Sequence, residues 1–267
     1  MKKMIKLLFV AIMITVISAC SAPKKDDTPK GELQAFEKQI QSPGKLVIGV
    51  SPDYPPFESL TATGQLVGFD IDLMNALTDY IKTATGEKYS VEWVQMSFDT
   101  IITAVQTGQL DLGMSSFTYE PDREALFSTP YLESQQVVVL NANSKITSLT
   151  DLEGKKIGVQ LGSTGEGAAK EIAGASLMSL ENVGVLFESL KNNAVDAIVV
   201  DKAVAENYVK NAGYISLEEP LVNEDVSIIA KKGNDDLMSV INSAIESFKQ
   251  TEQYQTLLKT WDINVGE

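Results

Sequence analysis

Apolar and polar positions alternate along this chain in blocks that switch between a strand period and a helix period. Residues 46–50 form a short apolar strand, closed by Ser51-Pro52-Asp53; Pro55-Pro56, Gly64 and Gly68 mark a long loop after it. From Phe69 the apolar positions 69, 73, 74, 77, 80 and 81 recur with helical spacing. Asp70 and Asp72 fall in the first turn of that helix, where carboxylates favour the positive end of the dipole. A strand over 89–94 follows, then a helix opened by Ser97 as N-cap, turning Ile101, Ile102 and Val105 inward and stopping at Gly108. Another short strand starts at Asp111. This alternation predicts an α/β unit built on a mainly parallel sheet covered on both faces.

The pattern restarts after Pro130-Tyr131. An extended apolar segment at 136–140 leads to a strand at 156–160, a short Ala-rich helix at 165–173 and a strand at 177–180. A helix at 183–191, a strand at 195–200 and a helix at 202–211 complete the second unit. Residues 220–225 read as a second connection, followed by a strand at 226–230 and a long helix at 235–250. A last helix from Thr251-Glu252 carries Leu257, Leu258 and Trp261 as docking residues. Amphipathic helices of this kind need a core to cover, but the pattern does not say which unit the tail joins. Periodicity therefore ends at two α/β units.

The first 19 residues break the pattern. Lys2, Lys3 and Lys6 precede an apolar run at 7–17, and Ser18-Ala19 lead to Cys20. The run suits the core of an export signal and is shorter than the roughly 20 residues of a spanning helix. Beyond Cys20 the chain turns polar, with two prolines and small or charged residues as far as Gly31, the composition of a tether. Ile17-Ser18-Ala19-Cys20 resembles a bacterial lipobox, which implies cleavage before Cys20 and lipidation of its thiol outside the cytoplasm. Cys20 is the chain's single cysteine, so an intramolecular disulfide and a multi-cysteine metal site are excluded.

Composition narrows the chemistry further. The 36 acidic side chains against 22 basic ones give a formal charge of −14, which speaks against nucleic acid as a partner. The absence of histidine removes the commonest general base at neutral pH and a frequent zinc ligand. No carboxylate cluster has divalent-metal spacing, and no cofactor is expected. Gly162-Ser163-Thr164-Gly165-Glu166-Gly167 lacks both the Lys-Ser/Thr ending and the spacing of a nucleotide-binding loop.

In an open α/β sheet, ligands collect at the carboxyl ends of strands. Polar clusters at such places are Asp53-Tyr54 with Phe57; Ser97-Phe98; Ser115-Ser116 with Thr118 and Arg123; Gly162-Ser163-Thr164; and Asp201. Arg123 offers a planar fork that grips a carboxylate through two parallel hydrogen bonds, with hydroxyl donors close by in sequence. Asp201 is able to accept from an ammonium, so the two would hold the ends of a zwitterion. Each has a bland alternative. Arg123 would instead pair at the surface with Asp122 or Glu124, Ser163 and Thr164 would cap a helix, Asp201 would cap the helix starting at Lys202, and Tyr54, Phe57 and Phe98 would fill a core.

Taken in order, the motifs resemble family 3 of the bacterial extracytoplasmic solute-binding proteins, which serve ABC importers of polar amino acids. The resemblance rests on Tyr54-Pro55-Pro56-Phe57-Glu58, Gly68-Phe69-Asp70-Ile71-Asp72-Leu73, the run from Asp111 through Thr118 to Arg123, and Pro130-Tyr131. It continues through Leu152-Glu153-Gly154-Lys155, Gly158-Val159, Gly162-Ser163-Thr164, Asp196-Ala197 before Asp201, Lys232-Gly233-Asn234, and Tyr254 with Trp261. It implies a type II periplasmic-binding-protein-like fold: two lobes, each with a mainly parallel sheet, joined by two hinge strands. The implied organisation is a signal peptide at 1–19, a lipidated cysteine and flexible tether at 20–43, lobe 1 at 44–130, lobe 2 at 131–224 and a return to lobe 1 at 225–267.

Carried over by motif, Arg123 would hold the ligand α-carboxylate, supported by Ser116, Thr118 and Ser163 or Thr164. Asp201 would receive the α-ammonium, Tyr54 and Phe98 would enclose the side chain, and Ser115 would donate through its backbone. The implied partners are an amino-acid ligand and an ABC permease, for a monomer anchored outside the cytoplasm through Cys20; a sensory lipoprotein or a dehydratase-like enzyme on the same fold are the alternatives. Ser116-Phe117-Thr118-Tyr119 departs from the commoner Gly-Met-Thr-Ile/Val wording. Ser51 stands where several cation-selective relatives place an acid, which counts against lysine or arginine as ligand.

Overall fold

The computed structural model describes residues 36–85 and 87–264. The proposed signal peptide and Cys20 lie outside the described residues. Within the stretch read as tether, residues from Phe36 onward are docked: Phe36 is fully buried in the core, and Gln39 accepts a hydrogen bond from the Leu237 amide at 2.8 Å.

In the first lobe, β1 (Lys45–Val50) is followed by three very short strands, β2 (Asp53–Tyr54), β3 (Glu58–Leu60) and β4 (Leu66–Val67), which form a small antiparallel sheet. Sequence pattern read this stretch as loop, because strands of two or three residues carry no measurable alternation. Gly68 closes it at φ 149°; a Cβ there would come 1.9 Å from the Phe57 carbonyl oxygen, so only glycine fits. Next come α1 (Phe69–Thr85), β5 (Ser90–Gln95), α2 (Phe98–Gln106), β6 (Leu112–Thr118) and β7 (Leu126–Phe127). β1 lies between β5 and β6, parallel to both.

The chain crosses to the second lobe through β8 (Leu132–Asn141), then forms β9 (Lys156–Gln160), α3 (Thr164–Lys170), β10 (Ser176–Leu180), α4 (Val183–Lys191), β11 (Ala197–Asp201), α5 (Lys202–Ala212) and β12 (Tyr214–Ser216). β9 lies between β10 and β11, parallel to both. It returns through β13 (Val222–Ala230) to α6 (Asp235–Lys249) and α7 (Glu252–Thr260), which pack against α1 of the first lobe.

The two long strands make the hinge. The first half of β8 pairs with the first half of β13, Leu132 with Val226 through to Gln136 with Val222. Beyond this antiparallel patch, β8 continues into the second lobe beside β11 and β12, while β13 continues into the first beside β6 and β7. One hydrogen-bonded ladder thus runs through both lobes, and the cleft lies across its middle.

Burial follows the predicted periodicity. On α6 the buried residues Leu237, Met238, Ile241, Ala244, Ile245 and Phe248 form one stripe over the first-lobe core. Each large aliphatic or aromatic side chain buried this way contributes about 1.5–3 kcal/mol relative to exposure. The terminal helix is pinned by Tyr254, whose hydroxyl donates to the Tyr131 carbonyl at 2.6 Å, and by Trp261, whose indole N–H donates to Asp72 at 2.9 Å.

Candidate functional site

Arg123 follows β6, and the bland alternative for it fails: it is 8% exposed and pairs with neither Asp122 nor Glu124. Its guanidinium lies 5.8 Å from the Phe98 ring centroid and 5.9 Å from that of Phe117, while Phe98 and Phe117 stack at 4.6 Å. One terminal nitrogen donates to the Thr118 carbonyl at 2.5 Å, the other to the Gly162 carbonyl across the cleft at 2.9 Å, and Nε faces Glu120 at 3.7 Å. Burial lowers its pKa, partly offset by Glu120, Glu224 and Asp122. Phe98, Arg123, Gly162 and Ser163 line a common hollow of about 650 Å³ at the cleft mouth.

Asp201 ends β11 and is 4% exposed. It occupies the N-cap position of α5, yet its carboxylate makes no capping bond. Oδ1 accepts from the Ser134 hydroxyl at 2.6 Å; Oδ2 accepts from the Tyr54 hydroxyl at 2.6 Å and from Gln136 Nε2 at 3.1 Å. The Asp201 amide in turn donates to Tyr54 Oη at 2.9 Å. Tyr54 therefore bridges the lobes, and its ring stacks on the fully buried Phe57 at 6.1 Å. Burial raises the Asp201 pKa, against the pull of these three donors.

A residue that sequence reasoning missed links the two ends. Glu224, on the first half of β13, accepts from Gln136 Nε2 at 2.9 Å and from the Thr118 hydroxyl at 3.2 Å, and Thr164 also hydrogen-bonds to it. Burial, then the charge of Asp201, pushes its pKa up to about 7. An unbroken chain of contacts results: Arg123, Thr118, Glu224, Gln136, Asp201, Tyr54. The signal lay in phase: along β13, Glu224 shares its face with the buried Val226 and Ile228 while Asp225 is exposed.

Serines divide between structure and cleft. Ser115 Oγ donates to Glu58 at 2.6 Å and accepts from the Ser51 amide, so its side chain is spent inside the first lobe. Ser116 adopts φ 51°, an unusual conformation for a residue with a Cβ, and its buried hydroxyl has no partner. Its amide donates to Asp70 at 3.3 Å. Ser163 caps α3, its hydroxyl accepting from the Glu166 amide at 3.1 Å, while Glu166 reaches back to the Gly162 amide at 2.9 Å. That carboxylate satisfies the Gly162 amide. Although its partial burial acts upward, the Gly162 amide, the Ser179 hydroxyl and Lys170 hold Glu166 below the usual carboxylate range.

Behind the first-lobe wall, Glu58 and Asp70 face each other. Burial foremost, and then the Asp70 charge, pushes the Glu58 carboxyl well above its ordinary value; burial raises Asp70 to about 7 although Tyr131 donates to it at 2.9 Å. A further interlobe contact joins Asp53 to the Val183 amide at the start of α4, at 2.7 Å. Among the described residues, no group of His, Cys, Asp or Glu is disposed to hold a metal ion, and no helix is long and apolar enough to cross a membrane.

The two-lobed architecture, its paired hinge strands and the cleft between them define a bilobal solute receptor. The model of the bacterial extracellular solute-binding proteins, family 3, matches residues 46–264, and the chain belongs to that family. It is 30% identical over 253 residues to the "Probable histidine-binding protein" of Neisseria gonorrhoeae, covering 90% of this chain and 88% of that one. It is 30% identical over 270 residues to the arginine-binding extracellular protein ArtP of Bacillus subtilis, covering 98% of each. Among solved structures, an ancestral arginine-binding protein bound to glutamine superposes with a TM-score of 0.76 at 38% identity, covering 84% of this chain and all of that one. Family and fold are those of non-catalytic, extracytoplasmic amino-acid-binding proteins related to ABC-importer receptors.

Proposed function

We propose that the cleft holds an α-amino acid between Arg123 and Asp201 and presents it to a cognate ABC permease, from a chain anchored to the membrane through lipid on Cys20. The observation that supports this best is the position of the two charged groups: both are buried, they come from opposite lobes, and one chain of hydrogen bonds connects them. A guanidinium has five N–H donors; two are spent here on the Thr118 and Gly162 carbonyls and Nε faces Glu120 at 3.7 Å, which leaves two on the terminal nitrogens to meet a carboxylate. Asp201 accepts from Ser134, Tyr54 and Gln136, which leaves room for an ammonium among its roughly four acceptor directions.

In this reading Ser116 and Ser163 or Thr164 add hydroxyl donors, Thr118 sets the Arg123 fork, Ser115 contributes its backbone, and Tyr54 and Phe98 flank the ligand. The direct Tyr54–Asp201, Asp53–Val183 and Arg123–Gly162 contacts describe a closed form. Closure favoured by ligand is a population shift, which requires better contacts in the closed state than in the open one. Names of the relatives, histidine-binding and arginine-binding, agree with an amino acid as cargo. Titration calorimetry of the dialysed protein against the common amino acids tests the reading. At least one is expected to bind with a Kd of about 1 μM or tighter. No heat from any of them overturns it.

A further inference from the structure

The cleft holds more negative charge than an amino-acid zwitterion cancels. Arg123 answers the α-carboxylate and Asp201 the α-ammonium, which uses one fixed charge of each sign. Glu224 is then left over: 8% exposed, beside Asp201, hydrogen-bonded to the neutral donors Gln136, Thr118 and Thr164, and within reach of the Arg123 charge that the ligand carboxylate would take up, with Lys202 on a neighbouring hollow. Burying a carboxylate among neutral donors and next to a second carboxylate is costly, and a cation brought to it offsets that cost. A neutral side chain would leave the cost in place. It would also take from Glu224 the water that the open cleft allows.

Placement points the same way. Glu224 belongs to β13, at the hinge, while Thr118 reaches it from the first lobe and Thr164 from the second. It therefore stands on the floor where the two walls meet. Gln136 Nε2 lies 2.9 Å from Glu224 and 3.1 Å from Asp201, so one amide spaces the two carboxylates. A ligand whose ammonium meets Asp201 would carry its side chain past this amide to Glu224. Ser51, whose hydroxyl donates to Asp53 at 2.9 Å, adds no acid of its own there.

We propose that Glu224 is a specificity-determining residue that selects an α-amino acid with a cationic side chain, a lysine-like or arginine-like ligand. This rests on the reading of the cleft as an amino-acid site, so the test compares two amino acids of the same shape. Arginine and citrulline differ in the charge of the side-chain terminus and keep the same zwitterionic head. By calorimetry on the full chain, arginine is expected to bind at least about tenfold more tightly than citrulline. In Glu224→Gln the ratio should fall to within about threefold, chiefly through weaker arginine binding, because the amide keeps the hydrogen bonds and removes the charge. Equal affinities for the two ligands in the unaltered protein overturn the proposal, and this comparison does not depend on the variant folding. An unchanged ratio in a folded Glu224→Gln overturns it as well. Binding of neutral amino acids alone sinks the inference and leaves the amino-acid reading standing, whereas absence of binding to any amino acid sinks both.

Discussion

The two ends of the cleft are built on opposite principles. At the Arg123 end a single guanidinium is packed against two aromatic rings and held by backbone carbonyls, Thr118 on one lobe and Gly162 on the other. Carbonyl partners do not titrate, and a guanidinium stays charged at any ordinary pH. At the other end two carboxylates, Asp201 and Glu224, share the amide of Gln136 and are otherwise fed by hydroxyls. Both are pushed toward protonation by burial. One end is a fixed charge with a fixed geometry; the other is a pair of acids that burial pushes toward protonation.

The most direct way to break this comparison is to remove the fixed charge. On the proposed reading Arg123→Ala would delete a charge-assisted, bidentate contact in an enclosed site, and losses of this kind run to about 2–5 kcal/mol. Affinity for the amino acid is expected to drop by roughly a hundredfold or more at every pH from 5 to 8. A calorimetric Kd within about threefold of the unaltered protein would show that the carboxylate of the ligand is held elsewhere.

The carboxylate end predicts a pH signature of the ligand-free protein. Glu224 titrates near 7 in the folded state against an ordinary value of 4.5. Its contribution is fully favourable below pH 4.5 and is lost as pH rises through 7, because the unfolded chain gives up its proton first. Burial sets this first and the Asp201 charge second, against the hydrogen bonds from Thr164, Gln136 and Thr118; Arg123 also feels the Glu224 charge, and Glu133, Lys202 and Asp225 line with Glu224 a hollow of about 290 Å³ at the hinge. Glu224→Gln removes the titration, so the variant should gain on the unaltered protein between pH 5 and 8, by at most about 3 kcal/mol. In a domain of this size that is a Tm difference growing by several degrees, at about 2–4 °C per kcal/mol. A Tm difference that stays flat across the range would place Glu224 as an ordinary ionised surface-like carboxylate.

How much of this was legible in the sequence divides along the same line. The repeated strand and helix periods gave both units, because each long element buries one face; the small sheet of β2, β3 and β4 escaped because it is too short to have a period. Motif order brought Arg123 and Asp201 forward, but local pattern left each undecided between a cleft role and a bland one. Two helix starts in the second lobe show why. Ser163 and Asp201 both occupy N-cap positions, and only Ser163 caps. What turns Asp201 away is three donors that arrive from elsewhere in the chain, Tyr54, Ser134 and Gln136. No window around residue 201 contains them. Glu224 was hidden differently: it lies in a polar run that reads as a connection, and its phase with Val226 becomes meaningful once β8 is known to pair beside it.

The smallest effect sharpens the contrast between those two caps. Ser163→Ala removes the bond to the Glu166 amide, and loss of such a cap costs about 1 kcal/mol, a fall in Tm of about 2–4 °C for a domain of this length. The hydroxyl hydrogen of Ser163 remains free to donate into the cleft mouth, where it lines the same hollow as Arg123. One neutral hydrogen bond is worth about 1 kcal/mol net, so affinity should fall by no more than about fivefold. A hundredfold loss with an unchanged Tm would reverse the ranking: the capping serine would then carry the ligand's charge as Arg123 is argued to do, and the end of the cleft taken as a single fixed cation would instead be a shared anion site built on the turn at Gly162.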